Sequence, residues 1–333
     1  MRSMADTPRR AVSIGPDVPP GTFPVRVHSV FRAAVNVSRP DGDLLTLLSN
    51  EACDGPQSIR LATVEDFAGL FLAPGADGSV SAGTIVLDRT GGMPPFRVDC
   101  SGARHLAAAA LPPVAGAAER WSAGVALLGA LQERAGTDLR IRSLLAGAPA
   151  PGALGERLAR AALDLGRAVQ AGSMAAAGQA LSRLIGLGPG LTPAGDDFLC
   201  GFHAAALCRS TACPARSRLL AAFARAVRER LDRTTALSAT FLRSTLAGHV
   251  VRPLAALAEA CAGTPGSDLR DAILQLARIG HSSGLDAATG FFHGLTVWSG
   301  PDQATQQESP GFAAAPPCEP TSLEVPCSPL SSI

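Results

Sequence analysis

The sequence contains no lysine; all 29 basic residues are arginine. That absence removes a Schiff-base nucleophile, an attachment point for pyridoxal phosphate and the lysine with which a P-loop reaches a nucleotide's phosphates. Tyrosine is missing too, which leaves Asp, Glu, His, Cys, Ser, Thr and Arg to carry any chemistry. The 8 cysteines form no C-x-x-C pair of the zinc or redox type, and a chain of 333 residues needs no disulfide framework. No apolar run reaches membrane-spanning length, and residues 1–22, polar and rich in Arg and Pro, lack the apolar stretch of a secretory signal. Nor does one charge dominate. A net charge of +1 with scattered arginines leaves no electrostatic footprint for nucleic acid or an anionic membrane. These absences point to a cytoplasmic protein with reduced thiols that binds neither nucleic acid nor membrane.

What is present is a hydrophobic content of 47%, enough to build the core of one large domain or two ordinary ones. After a leader over residues 1–22, expected to be disordered, Phe23 to Val37 reads as a strand. Leu44–Leu48, Ser58–Thr63, Gly83–Asp88 and Phe96–Cys100 follow as short β-type runs separated by Gly, Pro, Asp and Asn, with a short helix expected over Val64–Leu72. From about Ala117 the apolar residues recur at helical spacing, predicting helices near 118–134, 155–171, 174–185, 194–210, 216–232, 235–248, 252–262, 268–278 and 284–298. The expected fold is α+β: a small β-rich sheet or barrel over 23–112, then a predominantly helical domain over 113–299. Residues 300–333, rich in Pro, Ser, Gln and Glu, are expected to be a disordered tail.

The densest chemistry lies between Gly186 and Gly201, where a glycine-rich connection joins two predicted helices. Thr192 followed by Pro193 is a good helix start, because threonine caps free N–H groups and proline suits the first helical position. Gly188, Gly190, Thr192 and Gly195 would then offer backbone donors and a hydroxyl to a small anionic substrate. Asp196 and Asp197, adjacent in the first turn, favour the helix dipole but repel a bare anion, so a bridging Mg²⁺ held by these two acids is the expected companion. The competing reading is structural: acids in a first turn are routine, and glycine loops often serve only chain reversal.

A second segment echoes the first. Gly195, Asp197 and Gly201 match Gly284, Asp286 and Gly290 in a shared G-x-D-x-x-x-G pattern, each preceded by hydroxyl-bearing residues. The two helix starts are expected to converge on one polar pocket, with Asp196, Asp197 and Asp286 as catalytic candidates and Ser282, Ser283 and Gly284 as substrate contacts. His281, beside two serines, is the best general acid–base candidate among the 6 histidines. His203 and His293 fall within apolar helical patterns and are expected to be packed. Thr235 and Ser238, in T-T-A-L-S-A-T-F-L, share a helix face and are further substrate candidates, although such hydroxyls commonly bond back to the preceding turn. Arg183 and Arg233 are candidate carboxylate clamps.

The run G-L-G-P-G-L-T-P-A-G-D-D-F-L-C-G, the later T-T-A-L-S-A-T-F-L and G-H-S-S-G-L-D-A-A-T-G, and the N-terminal F-R-A-A-V-N-V and P-Q-S-I-R-L resemble the signature set of the AllH-like family. The resemblance spans about residues 25–298. It implies a subunit of a multi-subunit oxamate carbamoyltransferase that converts oxalurate and phosphate to oxamate and carbamoyl phosphate in purine and allantoin breakdown. One departure is visible: Ala194 stands where the family pattern carries Ser. Besides a catalytic subunit, two readings stay open, a non-catalytic partner or regulatory anion-binding subunit, and a stand-alone metal-dependent hydrolase or transferase acting on a carbamoyl or phosphate compound.

Overall fold

The computed structural model describes residues 7–63, 65–81, 83–115, 121–209 and 214–298. The first part is built from β1 (Arg9–Ile14), β2 (Phe23–Val30), β3 (Ala34–Ser38), β4 (Leu44–Leu48), β5 (Ser58–Leu61), β6 (Asp77–Ser81), β7 (Thr84–Leu87), β8 (Phe96–Asp99) and β9 (Arg104–His105). Pairing runs in the order β5-β4-β3-β2-β6-β7-β8-β1-β9, and β1 also pairs with β5. Eight strands therefore close into a barrel, while β9 lies along the later residues of β1. Alternation along the strands sends Val25, Val27, Val35, Val37, Ile85 and Leu87 inward around Phe67 and Phe96. On β4 both faces are buried, because Leu45 and Leu47 fill the barrel while its other side meets the helices.

The helices are α1 (Ser122–Ala135), α2 (Ile141–Leu145), α3 (Gly152–Gln170), α4 (Met174–Leu184), α5 (Ala194–Arg209), α6 (Pro214–Arg228), α7 (Ala236–Leu246), α8 (Arg252–Ala262), α9 (Leu269–Leu276) and α10 (Ser283–Val297). The molecule is thus α+β, a barrel followed by a helical region. At its centre α5 and α10 pack on each other more extensively than any other pair of helices. From Ala194 to Ala206 every α5 residue except Cys200 is buried, as a helix enclosed on all sides requires.

The shared glycine–aspartate pattern corresponds to a repeated local structure. The Leu187 N–H donates to the Leu184 carbonyl (2.9 Å) and the Ile279 N–H to the Leu276 carbonyl (2.9 Å); Gly195 then donates to Leu187 (2.9 Å) and Gly284 to Ile279 (3.1 Å). Gly195 presses onto the Leu184 carbonyl and Gly284 onto the Leu276 carbonyl so tightly that a Cβ would overlap each. Further along, a Cβ on Gly201 would overlap the Ala287 carbonyl, and one on Gly290 the Phe198 carbonyl. Early residues of α5 thereby meet early residues of α10, so the helices run parallel with their N-termini at one end.

Three sequence readings are corrected. The expected strand over Phe23–Val37 is two, β2 and β3, because the chain reverses at residues 31–33 with the Phe31 N–H bonded to the Ala34 carbonyl (2.8 Å). Within the supposed leader, residues 9–14 form β1, which closes the barrel; only Ala11 and Ile14 join its core, too little apolar character to announce a strand. The helix expected over Val64–Leu72 is a single 3₁₀ turn, Phe67–Gly69. Strand β6, with Val80 as its one large apolar residue, and the five-residue α2 carry too little periodicity to be read. The expected tail lies outside the described residues, as do residues 1–6.

Candidate functional site

Threonines and aspartates around the tips of α5 and α10 form the most unusual polar cluster of the fold. Asp196 faces the glycine loop: one carboxylate oxygen accepts the Gly186 N–H (2.9 Å), and the other accepts the Thr234 hydroxyl. It clasps the connection from α4 to α5 onto the segment before α7. Burial raises its pKa, while the bonds from Thr234 and Gly186 oppose that rise. Both oxygens are engaged in this clasp, which leaves Asp196 less open to a ligand than its sequence position suggested.

Asp197, one residue on and therefore turned by about 100° around the helix, faces α10. It is 8% exposed, and its Oδ2 has no hydrogen-bond partner among the described residues. Asp286 is 1% exposed, with neither oxygen partnered. Burial, and then the proximity of Asp286, push Asp197 well above the ordinary carboxylate range, with the Ser283 hydroxyl opposing. Burial likewise pushes Asp286 up to about 8, opposed by Ser282. A helix N-terminus stabilises an anion by about 0.3–1 kcal/mol, less than a tenfold change in acidity. That is too little to keep Asp286 ionised against its burial. Burial thus favours the protonated carboxyl, which presents an O–H donor as well as acceptors.

Hydroxyls complete the cluster. Thr192 Oγ1 lies 2.9 Å from Ser283 Oγ, tying the glycine loop to the start of α10. Thr235 caps α7, accepting the Ser238 N–H (3.1 Å) while its hydroxyl donates to the Leu191 carbonyl (2.5 Å). Ser238 Oγ is buried close enough to Asp196 to add to the groups that oppose the rise in its pKa. The Cys200 thiol, one turn beyond Asp197, is held protonated chiefly by burial, opposed by Thr245.

The glycines divide by role. Gly195 and Gly284 are consumed by contact with preceding carbonyls, while Gly188 (φ +134°) and Gly190 (φ +86°) shape the loop itself. Of these, Gly190 faces open space. His281, the expected acid–base residue, is exposed at the turn before α10, outside the buried acid pair. His203 and His293 are buried, their pKa values pushed down to about 4 by burial, and they stack against Phe223 and lie against Phe198 and Phe202 respectively. No group of three or more His, Cys, Asp or Glu side chains able to hold a metal occurs among the described residues. The Asp196–Asp197 pair expected to hold Mg²⁺ points in two directions; the acids with unpartnered oxygens are Asp197 and Asp286.

Arg183 and Arg233 do come together, at a groove of about 530 Å³ beside Gly186 and Leu187. Arg157 and Arg160 of α3 share it. Arg183 is paired with Asp164 (2.7 Å), and Arg233 donates to the Ser182 carbonyl (3.0 Å). Sequence reading missed Arg157 and Arg160, although their i, i+3 spacing on a helix was the available signal.

Comparison with known families gives two matches. Residues 10–105 match the AllH family N-terminal domain, the barrel, and residues 184–295 match the oxamate carbamoyltransferase subunit AllH, from the end of α4 through most of α10. The chain belongs to the AllH family. The second match contains the glycine loop, Asp196, Asp197, Thr234, Ser238 and Asp286, so the polar cluster lies in the part that carries the AllH subunit description. Neither a search of curated proteins nor one of solved structures gave a match.

Proposed function

We propose that this AllH chain is a subunit of an oxamate carbamoyltransferase-like system in purine and allantoin nitrogen breakdown, turning oxalurate and phosphate into oxamate and carbamoyl phosphate together with other subunits. The observation that carries this reading is the pairing of Asp197 and Asp286 at the tips of parallel helices, both buried and both held toward the protonated form. In the reaction a phosphate oxygen bonds to the carbamoyl carbon, the carbon–nitrogen bond to oxamate breaks, and the departing nitrogen needs a proton. A carboxyl that keeps its proton near neutral pH is matched to deliver it, and the proton shed by phosphate restores the acid. A neutral carboxyl also removes the objection that acids repel an anionic substrate. The backbone N–H groups of Gly188, Gly190, Leu191 and Thr192 and the hydroxyls of Thr192 and Ser283 then offer donors to the charge developing on oxygen.

Mg²⁺ belongs to this proposal in a restricted form. Asp197 and Asp286, rather than Asp196, have the oxygens to hold it, but only in their ionised form, so the ion would stand in place of the acid role and would supply charge neutralisation for phosphate. A second reading, a partner or regulatory anion-binding subunit, draws on the enclosure of the acids, since Asp286 is only 1% exposed. The test is Asp197→Asn and Asp286→Asn in the assembled system. The catalytic reading expects turnover to fall about 10²–10⁴-fold, the contribution of a general acid, with assembly by size-exclusion chromatography unchanged. Activity lost only in step with assembly would establish the partner reading instead.

A further inference from the structure

A second constellation lies far from the helix tips in sequence, where the barrel meets the helices. His249 follows α7; Gly248 (φ +89°) turns the chain there, and the His249 N–H bonds to the Ser244 carbonyl (2.9 Å). Its Nδ1 lies 2.5 Å from Asp17 Oδ1. The carboxylate fixes the ring's orientation, with Nδ1–H donating to Asp17, and leaves Nε2 as the nitrogen available to another molecule. Asp17 is itself held, because its N–H donates to the Pro56 carbonyl (2.8 Å), and nearby Gly15 passes so close to that carbonyl that a Cβ would overlap it. A carboxylate behind an imidazole is how proteins aim histidine at a bound group.

The imidazole lines a cleft of about 400 Å³ between the loop at residues 54–56, the chain from Arg104 to Ala109 and the segment entering α8. Its charges are unequal. Asp54, the acid lining it, is neutralised by Arg60 (2.9 Å) and bonded by the Ser13 hydroxyl (2.5 Å). Arg252 is occupied by Glu259, with two bonds of 2.7 Å. Arg104 is exposed and forms no ion pair among the described residues, and His105 beside it is exposed too. After these pairings the Arg104 guanidinium and the His105 imidazole remain without an ion pair among the described residues, beside the Nε2 of the Asp17-paired His249 and against the small apolar wall of Leu106 to Ala109.

We infer that this cleft is a second ligand site, for a small molecule carrying a carboxylate or phosphate group, recognised by Arg104 and by the Nε2 of the Asp17–His249 pair. The anion is held best when His249 is protonated, since the imidazolium then donates from both nitrogens, one to Asp17 and one to the ligand. Neutral His249 offers an acceptor there and repels the anion's lone pairs. The site is independent of the reading of Asp197 and Asp286.

The test is a titration of the full chain, labelled with ¹⁵N in its histidine rings, with inorganic phosphate and separately with oxalate, followed by the His249 ring signals. Those signals are assigned by their loss in His249→Gln. Saturable shifts with either anion are expected, phosphate and oxalate distinguishing the two chemical sources. Arg104→Gln, at an exposed side chain, should weaken binding about tenfold or more with the melting temperature unchanged, and it keeps the proposal testable should His249→Gln fail to fold. Asp197→Asn should leave the response intact, which separates this site from the helix-tip cluster. A His249 signal that ignores both anions at about 10 mM, well above a 1 mM dissociation constant, or a response unchanged by Arg104→Gln, would overturn the inference and leave Asp17–His249 as a clasp between barrel and helices.

Discussion

Two adjacent aspartates in one helical turn have opposite fates, and the cause is direction. Asp196 turns toward the glycine loop and finds two donors, whereas Asp197 turns toward α10 and meets a second buried acid. The consequence of such burial is measurable at Asp286. In the unfolded chain its carboxyl ionises near about pH 4, and in the folded one at about 8. Between those values the folded state holds a proton that the unfolded state has lost, so the contribution of Asp286 to stability is complete below about pH 4 and falls as pH rises through about 8. Asp286→Asn removes that dependence. The melting temperature of the variant relative to the parent should therefore rise by several degrees between about pH 5 and pH 8; a constant difference would show that folded Asp286 ionises normally.

Among the elements, α5 and α10 depend on residues that contribute no side chain. Gly201 and Gly290 sit where one helix's backbone lies against the other's, and each missing Cβ leaves room for a carbonyl oxygen of the partner helix. Since rigid main chain cannot give way as a flexible side chain does, Gly201→Ala must push the helices apart. The expected cost is at least the roughly 1–3 kcal/mol of an overpacked core, read as a lower urea midpoint at unchanged slope. Gly190→Ala is the control: nothing lies near its missing Cβ, so only the strain of φ +86° is felt, about 1 kcal/mol. Equal losses in the two variants would disprove the close-packing account. The same geometry gives the G-x-D-x-x-x-G pattern its meaning. Its first glycine seats the helix start on the preceding helix, its last admits the partner helix, and the aspartate between them is the member whose chemistry packing leaves unspent.

Over the whole molecule, barrel and helices are joined by bonds between residues far apart in sequence. The buried Leu44 N–H on β4 donates to Thr240 Oγ1 of α7 (3.1 Å), Arg243 pairs with Asp43, and the Arg252 N–H donates to the Asp54 carbonyl (3.2 Å). The Arg243–Asp43 pair is partly exposed and so contributes little. Thr240 matters more, because Thr240→Val keeps the shape but strands a buried donor. A loss of about 1–3 kcal/mol is expected, with a single cooperative melting transition in calorimetry for the parent chain. A variant as stable as the parent would mean that Leu44 finds another acceptor. No helix among the described residues is long and apolar enough to cross a membrane.

The order of a β-rich first part and a helical second part was legible in the sequence, because periods of two and of 3.6 residues are local properties that side-chain order alone expresses. The doubled glycine–aspartate motif was legible for the same reason, as was the packing of His203 and His293 within apolar runs. What the sequence did not disclose depends on contacts between distant segments. Polar Arg9–Ile14 becomes a strand because β5 and β8 are there to pair with it, and Asp196 became a clasp because Thr234 reaches it across α6. The nearness of Asp197 to Asp286 and of Asp17 to His249 follows from helix packing and from the seating of the barrel. Propensity fixes φ and ψ residue by residue; only burial in the folded chain decides which acids meet, and therefore which of them keep their protons.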